Sequence, residues 1–228
     1  MLSRAHRLPP YHNSVEMIRG YSDRINHAFA FAAKHHDQQV RKGTRLPYLT
    51  HPANVAVILT QYDQDEDTIV AGILHDVIED CVRGGYTSEA LRTRIGDKFG
   101  AVVLETVLAV TEARTGPEGD ELSHEERKSD YLLRLALASD RARWVCAADK
   151  VHNVGSILAD LKRTDFPESV WDRFRQGQEG TVRWYRQVCD RLGEIRFEAP
   201  IMEELRSVTG ELEAAAAARP LPRPTTWR

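Results

Sequence analysis

Apolar residues recur along this chain at helical spacing, and no segment sustains the alternation of apolar and polar residues that a strand needs. The first four helices are predicted to begin near Ser22, at Pro52, at Asp65 or Asp67, and at Thr87, because these residues favour an N-cap or a first turn. The third helix carries a wide apolar stripe that predicts deep burial: Ile69, Val70, Ile73, Leu74, Val77 and Ile78.

Helical spacing of apolar residues continues along the rest of the chain. Gly84-Gly85 is expected to end the region of the third helix. A polar stretch at 112–124, with glycines and a proline, predicts a mobile surface loop. Further helices are predicted from Asp97 to Val110, around Tyr131 to Ala138, from Arg141 to Leu161, from Pro167 to Leu192 and from Ile201 to Leu212, with the alanines up to Ala218 extending the last one.

The chain is predicted to fold as one all-α domain. Residues 1–20 are expected to form an irregular arm, 21–218 the helical domain, and 219–228, which contain several prolines, a flexible tail. No repeat of fixed length and no internal boundary is visible.

Composition narrows the function classes. The chain has 228 residues with 42% hydrophobic residues and a net charge of −3, so it can bury a core and has no global basic field for a nucleic-acid polymer. Its apolar runs are too short to cross a membrane, and the N-terminus lacks the apolar core of a signal peptide. Three widely spaced cysteines favour a reducing, cytoplasmic location.

The candidate chemistry lies in the octapeptide Ile73-Leu74-His75-Asp76-Val77-Ile78-Glu79-Asp80. Burying a carboxylate without a partner is costly, so polar groups in so apolar a segment indicate a cation or a catalytic role. His75 and Asp76 lie about 100° apart on a helix and can bracket one ion. Imidazole with carboxylate suits a divalent transition ion such as Mn²⁺, Fe²⁺, Co²⁺ or Zn²⁺.

Two ligands are too few for tight binding, so others must come from elsewhere in the chain. His51, before Pro52, and Asp149, a polar residue within an apolar helix, are the candidates. Taken singly, His51 is compatible with a capping or surface histidine and Asp149 with a salt-bridged surface acid. The remaining histidines outside the motifs are interpreted as surface or packing residues, and Cys81 as a helix-end thiol.

The order of several motifs resembles the HD-domain hydrolases of the RelA/SpoT type, over about residues 22–192. The motifs are Arg41-Lys42, Tyr48-Leu49-Thr50-His51-Pro52, Leu74 to Asp80, Phe99-Gly100, Val110-Thr111 and Ala148-Asp149-Lys150-Val151-His152-Asn153. That family cleaves the alarmone (p)ppGpp on an all-helical bundle. The length leaves no room for the synthetase and regulatory domains of the long relatives, so the chain resembles the stand-alone small alarmone hydrolases.

The resemblance implies a site. His51, His75, Asp76 and Asp149 would be the ligands of a Mn²⁺ ion, and Glu79 and Asp80 the catalytic acidic pair that orients a water and takes its proton. The residues implied to contact substrate are Arg41, Lys42, Asn153 and Ser156. An extra residue around Thr44-Arg45-Leu46 changes the loop between Arg41 and His51, so Arg45 is a further candidate there.

The implied reaction is metal-dependent hydrolysis of the 3′-pyrophosphate of (p)ppGpp, which gives GDP or GTP and pyrophosphate. Two alternatives stay open at this point. One is an HD phosphohydrolase for another nucleotide, such as NADPH or (p)ppApp. The other is a non-catalytic module that binds a nucleotide, although the retained acidic residues have no evident purpose there.

Overall fold

The computed structural model describes residues 20–82 and 86–218, and within them the chain folds into eleven helices without a strand. The predicted all-α fold is therefore confirmed. The helices are α1 (Asp23–His35), α2 (Thr50–Gln61), α3 (Glu66–Leu74), α4 (Val77–Asp80), α5 (Ser88–Phe99), α6 (Ala101–Val110), α7 (His124–Leu137), α8 (Asp140–Arg163), α9 (Glu168–Trp171), α10 (Gly177–Glu194) and α11 (Ile201–Ala217).

Short polar side chains fix where the helices begin. Ser22, Asp65, Thr87 and Ser139 each accept a hydrogen bond from the backbone N–H three residues later, as N-caps do. Three of these caps are starts that the sequence predicts, and Ser139 lies just before the predicted start at Arg141. The predicted second helix, with Pro52 in its first turn, is also present as α2.

The predicted third helix is interrupted at His75-Asp76, so the prediction of one continuous helix through Ile78 is wrong. In a continuous helix the Gly72 carbonyl would accept only from the Asp76 N–H. Here Nδ1 of His75 lies 2.8 Å from that carbonyl oxygen and competes for it. Both His75 and Asp76 keep right-handed helical angles, so α4 follows directly.

Two other boundaries also differ from the prediction. Asp97 lies inside α5 instead of opening the next helix, because Gly100 with φ +91° separates α5 from α6. The long helix predicted from Pro167 is divided into α9 and α10, and Gly177 with φ +60° begins the second. These positive φ angles favour glycine, which has no Cβ to clash with the backbone.

The core is built around α3 and α8. Every residue from Thr68 to Leu74 is buried, and α3 packs against α1, α2, α6 and α8. Gly72 permits the close approach of α2, because a Cβ there would lie 2.5 Å from Cδ1 of Leu59. α10 and α11 cover the other side of α8 and add a second apolar cluster around Leu212.

Two loops matter for the site. Residues 37–49 between α1 and α2 form an irregular loop closed by an isolated bridge between Val40 and Pro47. Residues 111–123 between α6 and α7 are irregular as predicted, with a bridge between Thr115 and Glu121. Residues 1–19 of the predicted arm, Gly84-Gly85 and the predicted tail at 219–228 lie outside the described residues.

No helix in the described part of the chain is both long and apolar enough to cross a membrane. The division into arm, domain and tail stays a prediction.

Candidate active site

Four polar side chains from three parts of the fold meet at one buried point. His51 comes from the first turn of α2, His75 and Asp76 from the turn between α3 and α4, and Asp149 from the middle of α8. Nε2 of His51 lies 3.2 Å from Nε2 of His75, 3.3 Å from Oδ2 of Asp76 and 3.2 Å from Oδ1 of Asp149. These side chains are 1% to 17% exposed, so the cluster is shielded from water.

The donor set fits a divalent transition ion. Two ligand atoms that each lie about 2.1 Å from one ion are separated by about 3.0–3.5 Å in octahedral or tetrahedral geometry. Nε2 of His75 is 3.1 Å from Oδ2 of Asp76 and 3.7 Å from Oδ1 of Asp149, close to that range. His51, His75 and Asp76 also form the metal-compatible group of the described residues.

The backbone prepares His75 for this role. Its Nδ1 donates to the Gly72 carbonyl, so Nε2 is the ring nitrogen that faces the cluster and is available to a cation. A ligating histidine whose other nitrogen is bound in this way has a fixed ring orientation and tautomer.

Charge in the cluster favours a cation. Burial alone would lower the pKa of His75, but the carboxylates of Asp76 and Asp149 outweigh it and raise that pKa well above its usual value. Burial would raise the pKa of Asp149, but Lys150, His51 and His75 hold it well below the usual range. Both carboxylates therefore stay ionised and stabilise positive charge placed between them.

Glu79 and Asp80 lie one turn beyond the cluster, at the end of α4. Burial, the nearby Asp76 charge and Glu112 raise the pKa of Glu79 to about 7, although the backbone N–H of Glu112 donates to its Oε2 at 3.0 Å. Burial and Asp76 likewise raise the pKa of Asp80. A carboxylate that titrates near neutrality can accept a proton and release it again.

All the predicted site residues line one cavity of about 770 Å³. Arg41 reaches it from the 37–49 loop, and its Nη2 donates to Oδ1 of Asn153 at 2.8 Å. Asn153 in turn donates to Oδ1 of Asp149 at 2.5 Å, so one asparagine connects the loop to the buried cluster. Lys42 and Ser156 also line the cavity, whereas Arg45 is exposed and does not.

Comparison with known proteins identifies the family of this helical domain. Residues 28–172, well over half of the chain, match the HD-domain family. The chain belongs to the HD-domain family. This confirms the HD-domain part of the resemblance that the order of the motifs indicates.

Curated relatives of this HD domain are much longer than the chain. It is 36% identical over 155 residues to a GTP pyrophosphokinase of Myxococcus xanthus, covering 66% of this chain and 19% of that protein. It is 33% identical over 138 residues to the guanosine-3′,5′-bis(diphosphate) 3′-pyrophosphohydrolase of Aquifex aeolicus, covering 60% of this chain and 18% of that protein. The chain thus spans about a fifth of the length of these relatives.

Solved structures share the HD-domain architecture along nearly their whole length. A metazoan ortholog of SpoT, described as hydrolysing ppGpp, superposes with a TM-score of 0.65 at 24% identity, covering 84% of this chain and 96% of that one. A protein of Listeria monocytogenes EGD-e superposes with a TM-score of 0.58 at 26% identity, covering 71% and 97%. At this level of identity the first likeness establishes the fold.

The HD domain also contains motif residues for which the sequence predicted no individual role. Nδ1 of His152 lies 2.8 Å from Nδ1 of His51, and burial with nearby positive groups lowers the pKa of His152 to about 4. Neutral His152 therefore fixes the His51 ring. Tyr48 donates to Oδ2 of Asp76 at 2.6 Å, and Lys150 lies 2.5 Å from Oδ2 of Asp149. Each of these three residues lies within three positions of a predicted ligand in the sequence, and this proximity is the signal that could have identified them.

The histidines interpreted as packing residues are consistent with that view where the structure describes them. His35 and His36 are buried, and His36 stacks on Tyr48 with ring centroids 4.7 Å apart. Sγ of Cys81 lies 3.3 Å from Nδ1 of His36, and this thiol does not belong to the metal-compatible group. His6 and His12 lie outside the described residues.

Proposed function

We propose that this HD domain hydrolyses the 3′-pyrophosphate of (p)ppGpp with Mn²⁺ as its metal, giving GDP or GTP and pyrophosphate. The observation that carries the proposal is the single cavity in which a buried His/Asp cluster, two acids of raised pKa and several basic side chains meet. The Aquifex relative is named a guanosine-3′,5′-bis(diphosphate) 3′-pyrophosphohydrolase and the metazoan structure is described as hydrolysing ppGpp, which supports the same substrate class.

The cavity lining contains two chemically distinct groups of residues. The acidic wall consists of His51, His75, Asp76, Glu79, Asp80 and Asp149, and the basic rim consists of Arg41, Lys42, Arg163 and Arg173. A nucleotide that carries phosphate groups at two positions needs cations at both: a metal at one and basic side chains at the other. The volume is within the range of small-molecule sites, about 300–1,000 Å³.

In this proposal His51, His75, Asp76 and Asp149 hold the metal. When bound, a divalent ion supplies Lewis-acid stabilisation of the phosphoryl oxygens and lowers the pKa of water.

The chain's own residues then have separate roles. Glu79 orients the attacking water and accepts its proton, because its pKa of about 7 lets both forms exist near neutral pH. Asp80 assists on the same side of the cavity. Arg41 is placed to stack on the base or to bind phosphate, since a guanidinium is planar and charged. Asn153 fixes the position of Arg41 relative to Asp149, because it accepts a hydrogen bond from Arg41 and donates one to Asp149.

The test is a direct assay of the purified full chain with Mn²⁺ on ppGpp, pppGpp, ppApp and NADPH side by side. We expect release of intact pyrophosphate from ppGpp and pppGpp, with kcat/KM at least tenfold above that for the other two. A preference for ppApp or NADPH would overturn the substrate assignment while leaving the hydrolase in place. Binding of ppGpp without turnover under every metal would overturn the enzyme itself.

Manganese is tested in the same assay. The chain is stripped with chelator and reloaded separately with Mn²⁺, Zn²⁺, Co²⁺ and Mg²⁺. We expect the highest turnover with Mn²⁺, and equal activity of the stripped protein would contradict a metal requirement.

A further inference from the structure

The segment that follows α6 holds Glu79 by two hydrogen bonds. The backbone N–H of Glu112 donates to Oε2 of Glu79 at 3.0 Å, and Nη2 of Arg114 donates to the Glu79 carbonyl oxygen at 2.9 Å. Oε1 of Glu79 accepts no hydrogen bond from the described residues. The place of the Glu112 backbone therefore decides how the Glu79 carboxylate is presented to the cavity.

Glu112 is itself anchored to α7. Its Oε2 lies 2.6 Å from Nζ of Lys128, and its Oε1 lies 3.4 Å from Nε of Arg127. The side chains of Glu112 and Lys128 are only 15% and 24% exposed, so solvent screens this pair weakly. Nζ of Lys128 also lies 4.0 Å from the ring centroid of Trp184 on α10, which fixes the ammonium from a second side.

The charges around Glu79 make this anchor necessary. Asp76 and Asp80 on its own segment and Glu112 after α6 are all acidic, and each raises the pKa of Glu79. The basic groups around this region are Arg127, Lys128 and Arg134 of α7, Arg114 after α6, Arg92 of α5 and Lys150 of α8. Of these, Lys128 directly neutralises the Glu112 carboxylate, which would otherwise repel Glu79.

We propose that Lys128 is a positioning residue for the hydrolytic reaction: by pairing with Glu112 it keeps the Glu112 N–H directed at Glu79. This inference rests on the proposed function, because it takes Glu79 as the proton acceptor. Lys128 acts through Glu112 and does not touch the reacting atoms.

One competing role follows from the same geometry. Lys128 lines the cavity, so a direct contact with a substrate phosphate would also need its charge. The two roles differ in kinetics. Loss of a phosphate contact raises KM, whereas loss of a positioned base lowers kcat and moves its pH dependence.

The variants are Lys128→Met, Glu112→Gln, the double variant and Lys128→Arg, in the full chain with Mn²⁺ and ppGpp. Lys162→Met, an exposed lysine of α8 that is 73% exposed, is the matched control. Lys128→Met should move the acidic limb of the kcat profile up by about one pH unit and leave KM within about twofold. Lys128→Arg should return the acidic limb to the pH found for the unaltered protein, and Lys162→Met should leave the limb at that pH.

The direction in which Glu112→Gln moves the acidic limb of the kcat profile is the decisive observation. This substitution keeps the backbone N–H but removes one negative charge, so the acidic limb should move to lower pH. The double variant should lie between the two single variants. Limbs that move in the same direction in both single variants, or a tenfold rise of KM in Lys128→Met with an unmoved limb, would overturn the proposal.

A readout without turnover separates this inference from the proposed function. The ¹³C carboxyl shift of Glu79, assigned by its loss in Glu79→Gln, is titrated in the full chain loaded with diamagnetic Zn²⁺. The midpoint should rise in Lys128→Met and fall in Glu112→Gln, whichever substrate the protein cleaves. Unchanged midpoints in both would overturn the role of Lys128 even if ppGpp is hydrolysed, and absent hydrolysis with opposite shifts would overturn only the function.

Discussion

The acidic wall and the basic rim of the cavity are built in different ways. The metal-compatible residues of the acidic wall come from helices or helix ends and are nearly buried, with hydrogen bonds or ion pairs on several sides. Within the basic rim, Arg41 and Lys42 lie on an irregular loop, and Lys42 is exposed. Helices fix positions more tightly than loops do. In the proposed function the metal ligands are therefore rigidly placed, whereas two of the proposed substrate contacts depend on a segment that is easier to change.

The strongest test of the rigid side is Asp149→Ala. The change removes one of the four proposed ligands, and a metal contributes several kcal/mol of transition-state stabilisation, so turnover should fall on the order of 10³-fold. Elemental analysis should find the metal depleted in step with activity. Asp149→Asn, which keeps the side-chain shape, guards against simple unfolding, and Asp140→Ala in the exposed first turn of α8 is the control. Full metal occupancy in either Asp149 variant would remove that residue from the ligand set.

Glu79→Gln separates chemistry from metal binding within the acidic wall. A lost proton acceptor costs on the order of 10²-fold or more in kcat, while the metal content should stay at the level of the unaltered protein. Because Glu79 must be ionised to accept a proton in the proposed mechanism, activity of the unaltered protein should fall as the pH is lowered through its pKa of about 7. A bound cation moves that midpoint downward. An acidic limb with the same midpoint in the residual activity of Glu79→Gln would contradict this assignment.

Arg41→Ala tests the basic rim. The loss of a charged contact of about 1.5–3 kcal/mol should raise KM by about 10-fold to 100-fold, with metal content unchanged. Arg45→Ala removes the same charge from an exposed position of the same loop and should change KM less than about twofold. Equal effects of the two substitutions would mean that the loop acts through general charge, without a defined contact.

Gly43→Ala should have the smallest effect, and it tests whether the loop geometry matters. Gly43 has φ +71°, and a Cβ there would lie 2.2 Å from Nε of Arg173, which pairs with Asp160. A non-glycine residue in this region costs about 1–2 kcal/mol. We expect a lower melting temperature and a severalfold higher KM, with kcat nearly unchanged. A fall of kcat larger than the rise of KM would contradict the separation between rim and wall.

Sequence patterns predicted the acidic wall better than its surroundings. His51, His75, Asp76 and Asp149 lie in motifs whose types and order carry the chemistry, and the structure brings them together. His152 lies in one of the motifs, but its role was not predicted because that role depends on a contact with His51, 101 residues away along the chain. Some predicted helix boundaries were wrong for a related reason. The spacing of apolar residues does not reveal which glycine adopts a positive φ, as Gly177 does.

Gly72 has a consequence for the spacing of the two proposed histidine ligands. The absence of its side chain lets Leu59 of α2 approach α3 closely, and His51 lies in the first turn of α2 while His75 directly follows α3. The separation of the two helices therefore sets the distance between the two imidazoles. Apolar packing away from the cluster thus fixes the spacing of its polar groups, so a larger residue at Gly72 would push the two imidazoles apart.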